Sequence, residues 1–137
     1  MSVLITGSNT GFGKLAALSL ARKGEKVIAT MRDLSKGDDI RRVANEEELP
    51  IEIRQLDVCD QEMVKDCLAD AQEIEAIVNN AGFEIQAAVE QLEDELMWKQ
   101  LDTNLLGPLR LIRTVLPVWT QRGSGVIVNV SSIAGRS

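Results

Sequence analysis

The 137 residues carry 15 Lys and Arg against 21 Asp and Glu, a formal net charge of -6. That acidity, with no block of basic residues, excludes nucleic acid and an anionic membrane surface as principal partners. Histidine is absent, which excludes metal sites and general bases that need imidazole, and 45% apolar with 26% charged residues fits one soluble domain over residues 1–137.

Short apolar runs alternate with amphipathic stretches along the whole chain. "SVLIT" reads as a strand and "GKLAALSLARKG" as a helix ended by Gly24. "KVIAT" is the next strand, followed by a polar helix through "DDIRRVANEEE" that Pro50 closes. "IEIRQLDV" is a third strand, with Ile51, Ile53 and Gln55 alternating against polar neighbours, and "QEMVKDCLADA" a third helix. "AIVNNAG" is a fourth strand with a glycine exit.

One long helix is predicted from Glu93 to Gln121. Leu101, Leu105, Leu109, Ile112 and Leu116 recur at helical spacing and form its expected core stripe. A second apolar set, Leu111, Val115, Val118 and Trp119, lies on another face. "GVIVNV" is the fifth strand. Strands alternating with crossovers this short predict a parallel, doubly wound α/β sheet with helices on both faces, a three-layer sandwich.

Targeting signals are not evident. "MSVLITG" has no charged n-region, and "NLLGPLRLIRTVLPVW" is broken by Arg110, Arg113 and two prolines, so no integral membrane contact is expected. Cys59 and Cys67 have no metal or redox spacing and read as buried or half-buried thiols of a reducing compartment. The expected location is cytoplasmic.

"TGSNTGFG" joins the first strand to the first helix. Gly7 permits the tight turn, Gly11 allows backbone to approach a pyrophosphate, and Gly13 allows the helix to pack on the sheet. Ser8, Asn9, Thr10 and Phe12 complete the loop, and the helix N-terminus offers free N–H groups to phosphate. An ordinary Gly-rich turn is the bland alternative; the strand before the loop and the helix after it favour nucleotide binding.

Together, Thr6-Gly-x-x-x-Gly11-x-Gly13, Asn79-Asn80-Ala81-Gly82 and the strand ending in Ser131-Ser132 resemble the short-chain dehydrogenase/reductase family, in order and spacing, over essentially the whole chain. "KVIATMRDL" is also similar to its hydroxysteroid and retinol dehydrogenase branch. The resemblance implies a Rossmann-like sheet of order 3-2-1-4-5, C-terminally truncated, and a nicotinamide dinucleotide as cofactor.

At the tip of the second strand stand Thr30, Met31 and Arg32, with no carboxylate. Arg32 can pair with a 2'-phosphate through its planar fork, which favours NADP(H) over NAD(H). Asp33, one position later, keeps NAD(H) as the alternative, and a solvated surface arginine is the alternative role for Arg32. The resemblance places Asp57 and Val58 at the adenine; a cap of the third helix is the alternative role for Asp57, with adenine contact favoured for Asp57 and capping for Asp60. It places Asn80, Ala81 and Gly82 beside the cofactor ribose, and Asn79 as a tie between neighbouring strands.

For catalysis the resemblance implies that Asn104, in "DTNLLG", anchors a water of the proton relay and that Ser132 orients the substrate carbonyl, with Ser131 its loop neighbour. The family completes this set with a Tyr and a Lys downstream. The 137 residues contain no tyrosine, and the chain ends five residues after Ser132. The expectation is therefore a catalytically incomplete, cofactor-binding portion of an oxidoreductase that moves a hydride between nicotinamide and a ketone or secondary alcohol. A non-catalytic NADP-binding module, or one part of an enzyme completed by another chain, is the alternative. The helix over residues 93–121 often packs against another subunit in the family, so the set with Leu111 and Trp119 is either a homo-oligomer face or a second core face.

Overall fold

The computed structural model describes residues 1–136; Ser137 lies outside the described residues. Five parallel strands, β1 (Ser2–Ile5), β2 (Lys26–Met31), β3 (Ile51–Gln55), β4 (Ala76–Asn79) and β5 (Val126–Asn129), form one sheet in the order β3-β2-β1-β4-β5. This is the expected order 3-2-1-4-5. Helices α1 (Gly11–Arg22), α2 (Asp38–Glu46), α3 (Gln61–Cys67), α4 (Asp94–Leu101) and α5 (Gly107–Arg122) connect the strands.

The central strands β1, β2 and β4 are buried on both faces, alternate residues pointing opposite ways, whereas the edge strand β5 is largely exposed. Leu4, Ile28 and Ile77 pack on one side with Val64, Leu111, Val115 and Trp119. Val3, Ile5, Val27 and Ala29 pack on the other with Ala17, Leu18 and Ile40. Cys67 is buried and Cys59 half-buried, as expected, and burial pushes the Cys67 thiol up to about 11.

The predicted single helix over residues 93–121 is instead two helices joined by a π turn at Asp102–Leu106. Pro108 has no N–H to give the carbonyl four residues back, so the ladder changes register there, and Gly107 N donates to Asp102 O. The turn is tied down by Arg110, which pairs with Asp102 at 2.6 Å and donates to the Val58 carbonyl at 3.1 Å. Gly107 sits so close to Val58 that a Cβ would stand 2.6 Å from its Cγ2.

The predicted core stripe is also corrected. Leu101, Leu105, Leu109 and Leu116 are 42%, 55%, 43% and 43% exposed, and Ile112 is half-buried, whereas Leu111, Val115 and Trp119 lie in the core. Both faces of the helix are apolar, so periodicity alone does not choose between them. The Gly107–Val58 contact and the bond from Trp119 Nε1 to the Ala71 carbonyl, 3.2 Å, seat the other face on the sheet. Among the described residues no helix is long and apolar enough to cross a membrane.

Candidate functional site

The register sets Ile5 beside Ala29 and Val78, so the segments leaving β1, β2 and β4 emerge together at the carboxyl edge of the sheet. Thr6, 2% exposed, is the pin between them. Its Oγ1 accepts from the backbone N–H groups of Asn80 at 2.9 Å and Ala81 at 2.8 Å. Asn80 answers from the other side: its Nδ2 donates to the carbonyls of Thr6 at 3.1 Å and Gly7 at 3.2 Å. The glycine loop and the Asn80–Gly82 turn are thus held as one rigid body by four hydrogen bonds.

Gly7 and Gly11 have φ of +64° and +55°, the left-handed region. Gly13 has a different reason to be glycine: a Cβ there would lie 2.2 Å from the Gly7 carbonyl oxygen and 2.5 Å from Asn80 Nδ2. Helix α1 begins at Gly11, and Thr10 makes no side-chain cap to it, nor does its first turn carry an acid. Elsewhere the chain supplies both: Asp60 Oδ1 accepts from Met63 N at 3.0 Å to cap α3, as expected of it, and Asp38 and Asp39 stand in the first turn of α2. The free N–H groups and positive end of α1 therefore face open space, where an anion is stabilised.

That space is a cavity of about 510 Å³ bounded by Gly7, Asn9, Thr10, Gly11 and Phe12 on one side and by Asn80, Ala81, Gly82 and Phe83 on the other, with Met31, Arg32, Leu56, Lys99 and Thr103 completing it. A second cavity of about 340 Å³ shares Asn9, Met31 and Arg32 with it and adds Asp33, Lys36 and Asp57, so the two form one cleft. Asp57 Oδ1 accepts from Cys59 N at 2.9 Å, closing its own turn at the wall. Asp33 Oδ1 accepts from the Ser35 hydroxyl at 2.6 Å and the Ser35 N–H at 3.0 Å, and these bonds hold its carboxyl below the ordinary range.

Several expected site residues are placed elsewhere. Ser8 is fully buried, with its hydroxyl donated to the Ile5 carbonyl at 2.8 Å, so it supports the loop from beneath and does not line the cleft. Val58 is 4% exposed and packed in the core under Gly107. Asn79 ties β4 to β5 through Asn129 Oδ1 at 2.9 Å, as read from the sequence.

Asn104 does not reach into a buried pocket. It is exposed on the π turn and grips the main chain of Phe83, its Oδ1 accepting from Phe83 N at 3.0 Å and its Nδ2 donating to Phe83 O at 2.8 Å. Gly82 lies against it, where a Cβ would be 3.0 Å from Asn104 Oδ1. Asn104 therefore fixes the wall of the cleft without lining it. Ser132 follows β5, is exposed, and accepts from Ala134 N at 3.1 Å; it lies outside both cavities.

Thr6, Lys36, Lys99 and Thr103 were not legible as site residues. Thr6 stood in the glycine motif but without a role of its own; Lys99 and Thr103 come from a distant helix and its π turn, and no local pattern brings them to the loop.

Comparison with known proteins agrees with this geometry. The family model described as short chain dehydrogenase matches residues 1–137. The chain is 40% identical over 139 residues to human (Homo sapiens) retinol dehydrogenase 8, covering 98% of this chain and 45% of that protein. Its structure is similar to a short-chain dehydrogenase from Streptomyces avermitilis, with TM-score 0.88 and 33% identity, covering 99% of this chain and 50% of that one. It is also similar to a gluconate 5-dehydrogenase from Burkholderia cenocepacia in complex with NADP and tartrate, with TM-score 0.88 and 26% identity over 99% of this chain and 55% of the other. The chain spans about half the length of the curated relatives it matches. With the glycine loop, the Asn80 turn and the parallel sheet in these positions, the chain belongs to the short-chain dehydrogenase family of oxidoreductases, which bind nicotinamide cofactors.

Proposed function

We propose that this protein is an NADP(H)-dependent oxidoreductase acting on a ketone or secondary alcohol. The observation that carries this reading is the cleft at the strand ends, which sets the uncapped start of α1 at one point and Arg32 at another. A dinucleotide needs both features: amide donors for its pyrophosphate and, for NADP(H), a cation at its 2'-phosphate. Gly11 supports the fit, since a Cβ at that position would meet no protein atom within 4 Å and the room beside the backbone is left to the ligand.

On this reading Gly7 and Asn9 to Phe12 hold the pyrophosphate, with Ser8 and Gly13 shaping the loop from below. Asn80, Ala81 and Gly82 border the ribose, Asp57 and the Val58 main chain the adenine, and Arg32 the 2'-phosphate. The cofactor supplies the hydride when bound. Ser132 Oγ accepts from Ala134 N and so keeps its own proton for donation to a substrate oxygen. Asn104 keeps Phe83, and with it the wall beside Gly82, in place.

These residues contain no tyrosine. By themselves they are expected to bind dinucleotide without turnover, and ketone-dependent NADPH oxidation above background would contradict that. Calorimetry with Arg32→Ala tests the cofactor choice. NADPH affinity should fall by about tenfold, with NADH affinity unchanged. Equal affinity of the unmodified protein for both would overturn the choice of NADP(H).

The face that α4 and α5 leave uncovered, with Leu101, Leu105, Leu109 and Leu116, is read as the one through which copies associate. This replaces the set with Leu111 and Trp119, which is core. Sedimentation should show a dimer or larger that dissociates in Leu105→Lys/Leu109→Lys; a monomeric unmodified protein would contradict it.

A further inference from the structure

We propose that Lys99, on α4, is a cation for the cofactor's pyrophosphate, reaching it from the wall opposite the glycine loop and serving NADPH and NADH alike. This rests on the dinucleotide reading above and extends it to a residue of a distant helix that lies outside the glycine motif.

Charge at the larger cavity runs against the charge of the chain. The formal net charge is -6, yet among the described residues that border this cavity the charged ones are Arg32 and Lys99, with neither Asp nor Glu beside them. The two cations come from different walls: Arg32 follows β2, and Lys99 stands in the last turn of α4. A space so lined attracts an anion.

The glycine loop calls for such a group. A dinucleotide's pyrophosphate carries about two negative charges, whereas the loop offers backbone N–H groups and a helix end equivalent to about half a positive charge. Residues 6–13 include no Lys or Arg, and Lys14, the next in the chain, is paired with Asp39. A full cation for the pyrophosphate must therefore come from another wall, and with Arg32 at the 2'-phosphate it is Lys99.

Lys99 is uncommitted, and its backbone is fixed. Glu95 stands four residues before it and Asp102 three after, the spacings at which helical ion pairs form. Asp102 is instead taken by Arg110 at 2.6 Å, and among the described residues Lys99 joins no ion pair, with Glu95 or any other acid. Thr103, one turn on and bordering the same cavity, meets Cys59 Sγ at 3.3 Å. Gln100 Nε2 donates to Phe83 O at 3.4 Å, beside the two bonds from Asn104. The flexible stem of Lys99 can therefore swing while its Cα stays at the wall.

The test is calorimetric titration of NADPH and NADH, at low and high salt, into the purified protein and its Lys99→Met, Lys99→Arg and Arg32→Ala variants. Methionine keeps an unbranched stem and removes the charge. Lys99→Met should weaken both dinucleotides by the same factor, about fivefold at low salt, and the loss should shrink as salt rises. Lys99→Arg should stay within about twofold of the unmodified protein, a rescue by charge that a merely structural role would not produce. Lys99 is exposed, so both substitutions should leave the melting temperature unchanged. Affinities in Lys99→Met within about twofold of the original for both dinucleotides, with Arg32→Ala still weakening NADPH, overturn this inference alone. So does a loss confined to NADPH, which would put Lys99 at the 2'-phosphate, or a loss that salt does not relieve. An unmodified protein that binds neither dinucleotide overturns it together with the reading on which it rests.

Discussion

Gly13→Ala is expected to abolish NADPH binding and to cost about 1–3 kcal/mol of stability. The new methyl would stand 2.2 Å from the Gly7 carbonyl oxygen and 2.5 Å from Asn80 Nδ2. Neither can yield cheaply. The Gly7 carbonyl belongs to the loop, and Asn80 Nδ2 is the group that binds that loop to the fourth strand's exit turn. Helix α1 would have to move off the sheet, carrying its N-terminal N–H groups out of the cleft. Gly11→Ala is the comparison for stability alone, since it borders the ligand space: its Cβ would meet no protein atom within 4 Å, although φ of +55° makes alanine costly by about 1 kcal/mol. Denaturant unfolding and NADPH titration on both variants separate the two. A stability loss in Gly13→Ala no larger than in Gly11→Ala, or retained binding in Gly13→Ala, would show that the close packing at Gly13 is not what shapes the site.

Thr6→Val is expected to cost at least as much stability, for a polar reason. Valine has the shape of threonine but no oxygen, so the N–H groups of Asn80 and Ala81 both lose their acceptor. Leaving two such donors unsatisfied costs about 2–4 kcal/mol. The turn from Asn80 to Phe83 is one wall of the cleft, so NADPH affinity should fall as well. Thr6→Ser keeps the oxygen and should recover most of both. A Thr6→Val protein as stable as Thr6→Ser would mean the hydroxyl is not the pin.

The topology was legible because β1 and β2 are near-continuous apolar runs, which only a sheet covered on both faces can bury, and because a helical crossover separates each strand from the next, which makes the strands parallel. The glycine loop was legible for a related reason: backbone conformation restricts residue type directly, so Gly7 and Gly11 carry their own explanation. Asn79 was legible as a strand tie because a buried amide needs a partner.

What stayed hidden depends on contacts between residues far apart in the chain. Leu101, Leu105, Leu109 and Leu116 make as good an apolar stripe as Leu111, Val115 and Trp119, and the choice between them is made by Val58 and Ala71, which no helical pattern contains. The π turn reads as ordinary helix except for Pro108. Ser8 reads as one more residue of the cofactor loop, yet its hydroxyl is donated to the Ile5 carbonyl beneath it. Asn104 reads as the anchor of a relay water, but both of its amide atoms bond the Phe83 main chain, brought across from the exit of β4.

Titrating NADPH and NADH separately into the purified protein by calorimetry tests most directly whether this cleft is an NADP(H) site. One saturable site with NADPH bound at least about tenfold more tightly than NADH is the expected result. No saturable heat with either dinucleotide, or equal affinity for both, would contradict it.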